Sequence, residues 1–319
     1  MFAIFRSKSP EPEHRRSREP ESRRREPEPR RREPEPRHRQ PEPRRLPEFP
    51  SYTRLYKLIA KQNHNVLFPF LVHSNPRVRA SLASATLYHF TEPLRPTPAP
   101  PLRAPTPVLV VPFDSLDCAE SLVCEGKKNI AVLNMANADV PGGSYFDGAG
   151  AQEEALCRRS TLFMTLHGQR NFYPIPAHGA IYSPDALILR KSDQDNCAIL
   201  LPSERFWTSF ISVAAIVRPR LNRTGDDFAG REDRKETKER IRTLFRVAVF
   251  ESRKNLVLGA LGCGAFRNPP EAVAELFKEV LTEGEFVGRF EGIWFAIIER
   301  AGSQNFEVFK GILDGLRVA

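Results

Sequence analysis

The chain has little of what staples a small fold or builds a metal centre. Its five cysteines, Cys118, Cys124, Cys157, Cys197 and Cys263, are scattered without a CxxC pair, and no Cys/His cluster has zinc-ligand spacing. Neither a disulfide framework nor a structural metal is indicated, and the expected compartment is reducing. Long apolar runs are missing as well. The opening MFAIFRSK is too short for a signal peptide, and the longest later run, around Phe210 to Val217, falls far below the ~20 residues of a membrane span. The reading is of a soluble intracellular protein, nuclear or cytoplasmic, with no membrane partner.

What is present suffices for a core. The 319 residues are 40% hydrophobic, enough for one large α/β domain or two small ones. The net charge of +9 is unevenly placed, because residues 1–50 hold 15 Lys+Arg against 10 Asp+Glu. Residues 9–50 repeat units such as REPEPRR and carry 11 of the 29 prolines. With almost nothing apolar to bury, residues 1–50 read as a disordered tail. Its functional reading is electrostatic contact with nucleic acid, another acidic polymer or an import receptor, through blocks such as Arg23 to Arg25. Its plain reading is a solvated linker, favoured by the interleaved glutamates.

Residues 51–107 read as a helical accessory segment followed by a proline-rich linker. Leu55, Leu58 and Ile59 share one helical face, a second helical segment runs from Val78 to Tyr88, and Pro93 to Pro107 breaks the chain. A catalytic domain is expected over 108–319, where strand and helix patterns alternate. Strand-like runs occur at Val108–Val111, Ile130–Leu133, Ala180–Ser183, Ala186–Leu189, Ala198–Leu201, Ser212–Val217, Leu256–Leu258 and Ile293–Ile298. Helical patterns cover Gln152–Leu166, Glu232–Phe250, Glu271–Leu281 and Asn305–Leu316. Such alternation predicts a mostly parallel sheet with helices on both faces.

Two glycine-rich turns carry the chemistry. In PGGSYFDGAGAQEE, residues 141–154, a strand delivers the chain to Gly142 and Gly143, and Gln152, Glu153 and Glu154 open a helix. Glycine permits the positive φ and close backbone approach that such turns need, and the paired glutamates then stand beside the bound group. In LVLGALGCGAFRNPPEAVAELF, residues 256–277, a strand runs into Gly259, Gly262 and Gly264 before Pro269 and Pro270 open a helix. This aims backbone N–H groups and a helix N-terminus at one spot, which suits a phosphate; a tight turn with glycines for packing is the other reading. The turn is neither GxGxxG nor Walker A, since the Lys-Ser/Thr is missing.

The spacing of GGS, seven residues and QEE resembles the signature of the poly(ADP-ribose) glycohydrolases, and the wider match is to their microbial-type branch, which is built on a macrodomain. The resemblance runs through NMANADVPGGSYFDGAGAQEEALCRRSTL, IYSP at 181–184, LILRKSD at 187–193 and GALGCGAFRNPPEAVA at 259–274. It implies a three-layer α/β/α macrodomain with a mixed, mostly parallel central sheet. It further implies hydrolysis of the ribose–ribose bond of poly(ADP-ribose), acting on the polymer or on ADP-ribosylated proteins, with ADP-ribose as product and no metal or other cofactor. By the same resemblance Glu154 is the catalytic acid, Glu153 holds ribose hydroxyls and Gln152 supports the loop. Gly142 and Gly143 let the chain lie against ribose and diphosphate, and Gly262, Cys263, Gly264, Ala265 and Phe266 form the diphosphate loop. Asn134 or Asn137 is a candidate ribose contact, or an asparagine that satisfies its own loop. Ser144 departs from the third glycine of the signature. The alternatives are a binding macrodomain with little turnover and a mono-ADP-ribosyl hydrolase.

Overall fold

A computed structural model describes residues 52–90, 104–300 and 302–319. The tail and most of the proline-rich stretch lie outside the described residues. The elements run α1 (Tyr52–Gln62), a π-helical turn (Asn63–Leu67), α2 (Phe68–Ser74), α3 (Pro76–Ala83), β1 (Thr86–His89), β2 (Thr106–Val111), α4 (Ser115–Cys124) and β3 (Ile130–Ala136). Then come α5 (Gln152–Arg159), α6 (Leu162–Gly168), β4 (Gly179–Ile188), β5 (Phe206–Ala214), α7 (Arg231–Phe250), β6 (Asn255–Leu258), α8 (Pro270–Leu281), β7 (Gly292–Ala296), α9 (Asn305–Leu313) and β8 (Arg317–Val318).

The strands form one eight-stranded sheet in the order β1-β4-β5-β3-β6-β7-β2-β8. Its centre, β5-β3-β6-β7-β2, is parallel, and antiparallel pairings close both edges. Alternation along β3 shows how the sheet divides two cores: Ala131 and Leu133 face a layer with Phe245, Phe277, Phe295 and Phe309, while Ile130 and Val132 face one with Leu116, Leu156, Leu162 and Phe210. The first layer is built by α7, α8 and α9, the second by α4, α5 and α6. The result is the α/β/α arrangement that the pattern predicts. Ala60, Phe68, Leu71 and Val78 from α1–α3 enter the second core, so the helical segment shares the interior of the sheet domain.

Four local expectations change. The helix expected from Val78 to Tyr88 ends at Ala83, and residues 86–89 form β1, because pairing with Gly179–Tyr182 outweighs the local pattern. The helix expected over Gln152–Leu166 breaks at Ser160, whose extended backbone bridges Ile188 while its hydroxyl bonds Leu156 O and Leu162 N–H. Ala198–Leu201 forms no strand beyond a single bridge from Ile199 to Arg190. Leu200 is buried in the second core, while Ile199 and Leu201 are 41% and 63% exposed. The two runs 180–183 and 186–189 are one strand with a register shift between Ser183 and Ala186, where Pro184 has no N–H to give a ladder.

Candidate active site

The C-terminal ends of parallel strands face ligands in open α/β sheets, and the two glycine-rich turns leave β3 and β6 there. Between β3 and α5, Gly142 and Gly143 take φ of +72° and +56°. Neither tolerates a side chain. A Cβ at Gly142 would sit 2.8 Å from the Phe163 ring, and one at Gly143 would sit 2.5 Å from Glu154 Oε1 and 3.1 Å from Glu153 Oε2. The glycines therefore let the loop close down on the glutamates. Ser144, at φ −92°, uses its backbone N–H and not its side chain, donating to Glu154 Oε1 at 2.9 Å. Serine is exposed there and needs no glycine conformation, so the departure from the signature leaves the loop's backbone intact.

Each of the three residues that open α5 holds a different partner. The Gln152 amide accepts from Met135 N–H at 2.9 Å and donates to Leu133 O at 2.7 Å. Since β6 pairs with β3 only as far as Val132, the side chain continues the ladder where the neighbouring strand has stopped. Glu153, 3% exposed, accepts from Asn137 N–H at 2.7 Å and from Asn134 Nδ2 at 3.2 Å. Burial pushes its carboxyl up to about 8 against those hydrogen bonds, and Glu154 beside it pushes the same way. Glu154, 7% exposed, is held through Oε1, while Oε2 is buried with no hydrogen-bond partner among the described residues.

The asparagines divide between these roles. Asn134 is fully buried and also donates to Ser212 Oγ at 3.0 Å, and its Oδ1 has no partner among the described residues. Asn137 Oδ1 accepts from the N–H groups of Asp139 and Val140, which is the self-satisfying loop arrangement. Both support Glu153 in this structure.

A cavity of about 840 Å³ opens beside these elements. Gly262, Cys263, Gly264, Ala265 and Phe266 line it together with Gln152, but neither Glu153 nor Glu154 does. Gly262 takes φ +75°, and a Cβ there would strike Asn268 at 2.5 Å and Ala215 at 2.6 Å. A Cβ at Gly264 would meet no protein atom within 4 Å, so this glycine leaves space on the cavity side of the turn. Asn268, which sequence reasoning missed, fastens the turn by donating to Ile216 O at 2.7 Å and Gly262 O at 3.2 Å. Also missed were Phe113, Asp114 and Ser115 after β2 and Ile298 after β7, which complete the wall. The available signal was position, since each follows a parallel strand at its C-terminal end.

Residues 71–191 match the family model for the microbial-type poly(ADP-ribose) glycohydrolase (PARG) catalytic domain. Over that segment the chain is similar to the microbial-type PARGs. The match holds both the glycine loop and Gln152–Glu154, and it begins inside α2. The structure is similar to that of PARG from Thermomonospora curvata, with a TM-score of 0.69 and 25% identity over 81% of this chain and 99% of that one. The same relative bound to the inhibitor ADP-HPD gives a TM-score of 0.67 at 25% identity, with the same coverage. PARG from Deinococcus radiodurans in complex with ADP-ribose gives 0.60 at 28% identity, covering 74% of this chain and 96% of that one. A search of curated proteins gives no match. The turn at 262–266 lies beyond the matched segment, so its likeness to PARG is carried by the structural similarity.

Proposed function

We propose that the protein hydrolyses the ribose–ribose glycosidic bond of poly(ADP-ribose), releasing ADP-ribose, with Glu154 as general acid/base. One observation carries the assignment: of the paired carboxylates beside the glycine loop, only Glu154 keeps an oxygen, Oε2, with no partner among the described residues. Breaking the bond passes through an oxocarbenium-like state, so the leaving ribose oxygen must gain a proton and water must reach the anomeric carbon. Glu154 delivers the proton and, as carboxylate, then activates the water. Ser144 N–H fixes the other oxygen and with it the orientation of the group. Glu153 and Asn134 form the buried backing, and the cavity lined by Gly262–Phe266 receives the diphosphate through backbone N–H groups. The five free cysteines support a reducing, intracellular setting; nucleus and cytoplasm both fit.

The test is to incubate the purified protein and Glu154→Gln with poly(ADP-ribose) and quantify released ADP-ribose. The wild type is expected to turn over, and the variant to bind ADP-ribose with unchanged affinity while turnover drops at least ~10²-fold. A wild type that binds ADP-ribose but releases none from the polymer makes this a binding module. Near-normal turnover in the variant removes Glu154 from the mechanism.

A further inference from the structure

The segment after β5 is tied to the cavity wall by backbone bonds. Arg218 N–H donates to Phe266 O at 2.8 Å, and Asn268 reaches Ile216 O. Phe266 lines the cavity and Arg267 follows it directly. Four exposed arginines therefore stand on two segments bonded to each other: Arg218 and Arg267 adjoin the lining residue Phe266, Arg220 and Arg223 follow along the first segment, and none of the four lines the cavity itself. Among the described residues, none of the four has a carboxylate partner.

The contrast with α7 is informative. There Arg234, Lys238, Arg242 and Arg246 are all matched by Glu279, Glu283, Glu239 or Glu285. The acids in the arginine segment's own loop are occupied: Asp226 accepts from Thr224 and Asn222, and Asp227 pairs with Arg234. Arg218 and Arg267 also hold φ of +49° and +55°, a region that glycine or asparagine fills at lower cost. Unpaired guanidinium groups retain their fork of donors for phosphate oxygens.

We propose that Arg218, Arg220, Arg223 and Arg267 form a rim that binds the diphosphate of an ADP-ribose unit adjoining the one held in the cavity. The inference rests on the reading of poly(ADP-ribose) as substrate. It adds a second contact that a single ADP-ribose cannot make. The rim raises affinity for polymer and leaves the chemical step to Glu154.

Two double variants test it: Arg220→Ser with Arg223→Ser, and Arg218→Asn with Arg267→Asn, asparagine being tolerated at positive φ. Each is measured for ADP-ribose affinity by calorimetry, for labelled-polymer affinity by anisotropy and for polymer turnover, across a salt series. Expected are unchanged ADP-ribose affinity, a polymer Kd and KM raised about 10-fold at low salt, an unchanged kcat and a shallower salt dependence. Equal losses for ADP-ribose and polymer, or no loss for polymer, overturn the rim. So does single-stranded RNA of equal charge binding as tightly as polymer, which would make the patch a general polyanion surface. If either pair fails to fold, the other pair decides. A wild type that releases no ADP-ribose sinks the hydrolase reading instead, and the anisotropy comparison still decides the rim.

Discussion

Glu153 and Glu154 are neighbours in sequence, yet the fold gives them different work. Both oxygens of Glu153 accept N–H groups, whereas one oxygen of Glu154 has no partner among the described residues. Burial at Glu153 has a pH signature. Its folded carboxyl sits near 8 against 4.5 ordinarily, so between those values the folded state binds a proton that the unfolded state has released. The stability associated with this group is complete below about pH 4.5 and is lost as pH rises toward 8. Thermal unfolding followed from pH 5 to 8 should therefore show the wild-type Tm falling with pH, and Glu153→Gln falling distinctly less. Parallel curves would mean that Glu153 is ionised in the folded protein throughout. The identity of the residue pair was legible from its spacing after the glycines; the division of labour was not, because it depends on Asn134 from β3 and on the backbone of residues 137 and 144.

At the scale of elements, strand, glycine turn and helix were each visible in the sequence, since Ile130–Leu133 is an apolar run and the turn is rich in glycine. How α5 is held to the sheet was hidden. Gln152 acts as a piece of β-strand, one donor and one acceptor against Met135 and Leu133, and that role exists only because β6 stops pairing at Val132. Gln152→Leu leaves one backbone donor and one acceptor without their partner, at about 1–3 kcal/mol for each group that stays dry. Chemical denaturation should record a loss in that range, and turnover should fall further than ADP-ribose affinity because the start of α5 carries Glu154. Full stability in Gln152→Leu would show that the ladder extension contributes nothing. The break after α5 was illegible for a similar reason. Ser160 leaves the helix to meet Ile188, and Arg159, buried just before it, reaches Asp114 and Asp117 at the start of α4.

For the whole molecule the question is where the folding unit begins. Composition separates residues 1–50 from the rest, and their sequence offers almost no apolar surface to a core. Composition also suggests a boundary near Val108, but the packing does not follow the proline-rich stretch. Arg190, 3% exposed, donates to Asn63 and Gln62; Asn63 donates to Arg158 O; the Arg158 guanidinium lies 3.6 Å from the Tyr56 ring centre; and β1 pairs with β4. Removing residues 51–107 would leave Arg190 with only Cys197 O of its three side-chain acceptors and strip Ala60, Phe68, Leu71 and Val78 from the second core, and hydrogen bonds to a buried charged group are worth about 1.5–3 kcal/mol each. A chain starting at Ser51 should therefore keep its Tm within about 2 °C, a change below ~1 kcal/mol, and release ADP-ribose from short substrates as fast as the full chain. A chain starting at Val108 should be insoluble or unfolded. Any advantage of the full chain on long polymer should shrink with added salt, as the Debye length drops below about 8 Å. Loss of activity on short substrates in the Ser51 chain would make the tail part of the enzyme, and a folded Val108 chain would make α1–α3 an accessory after all.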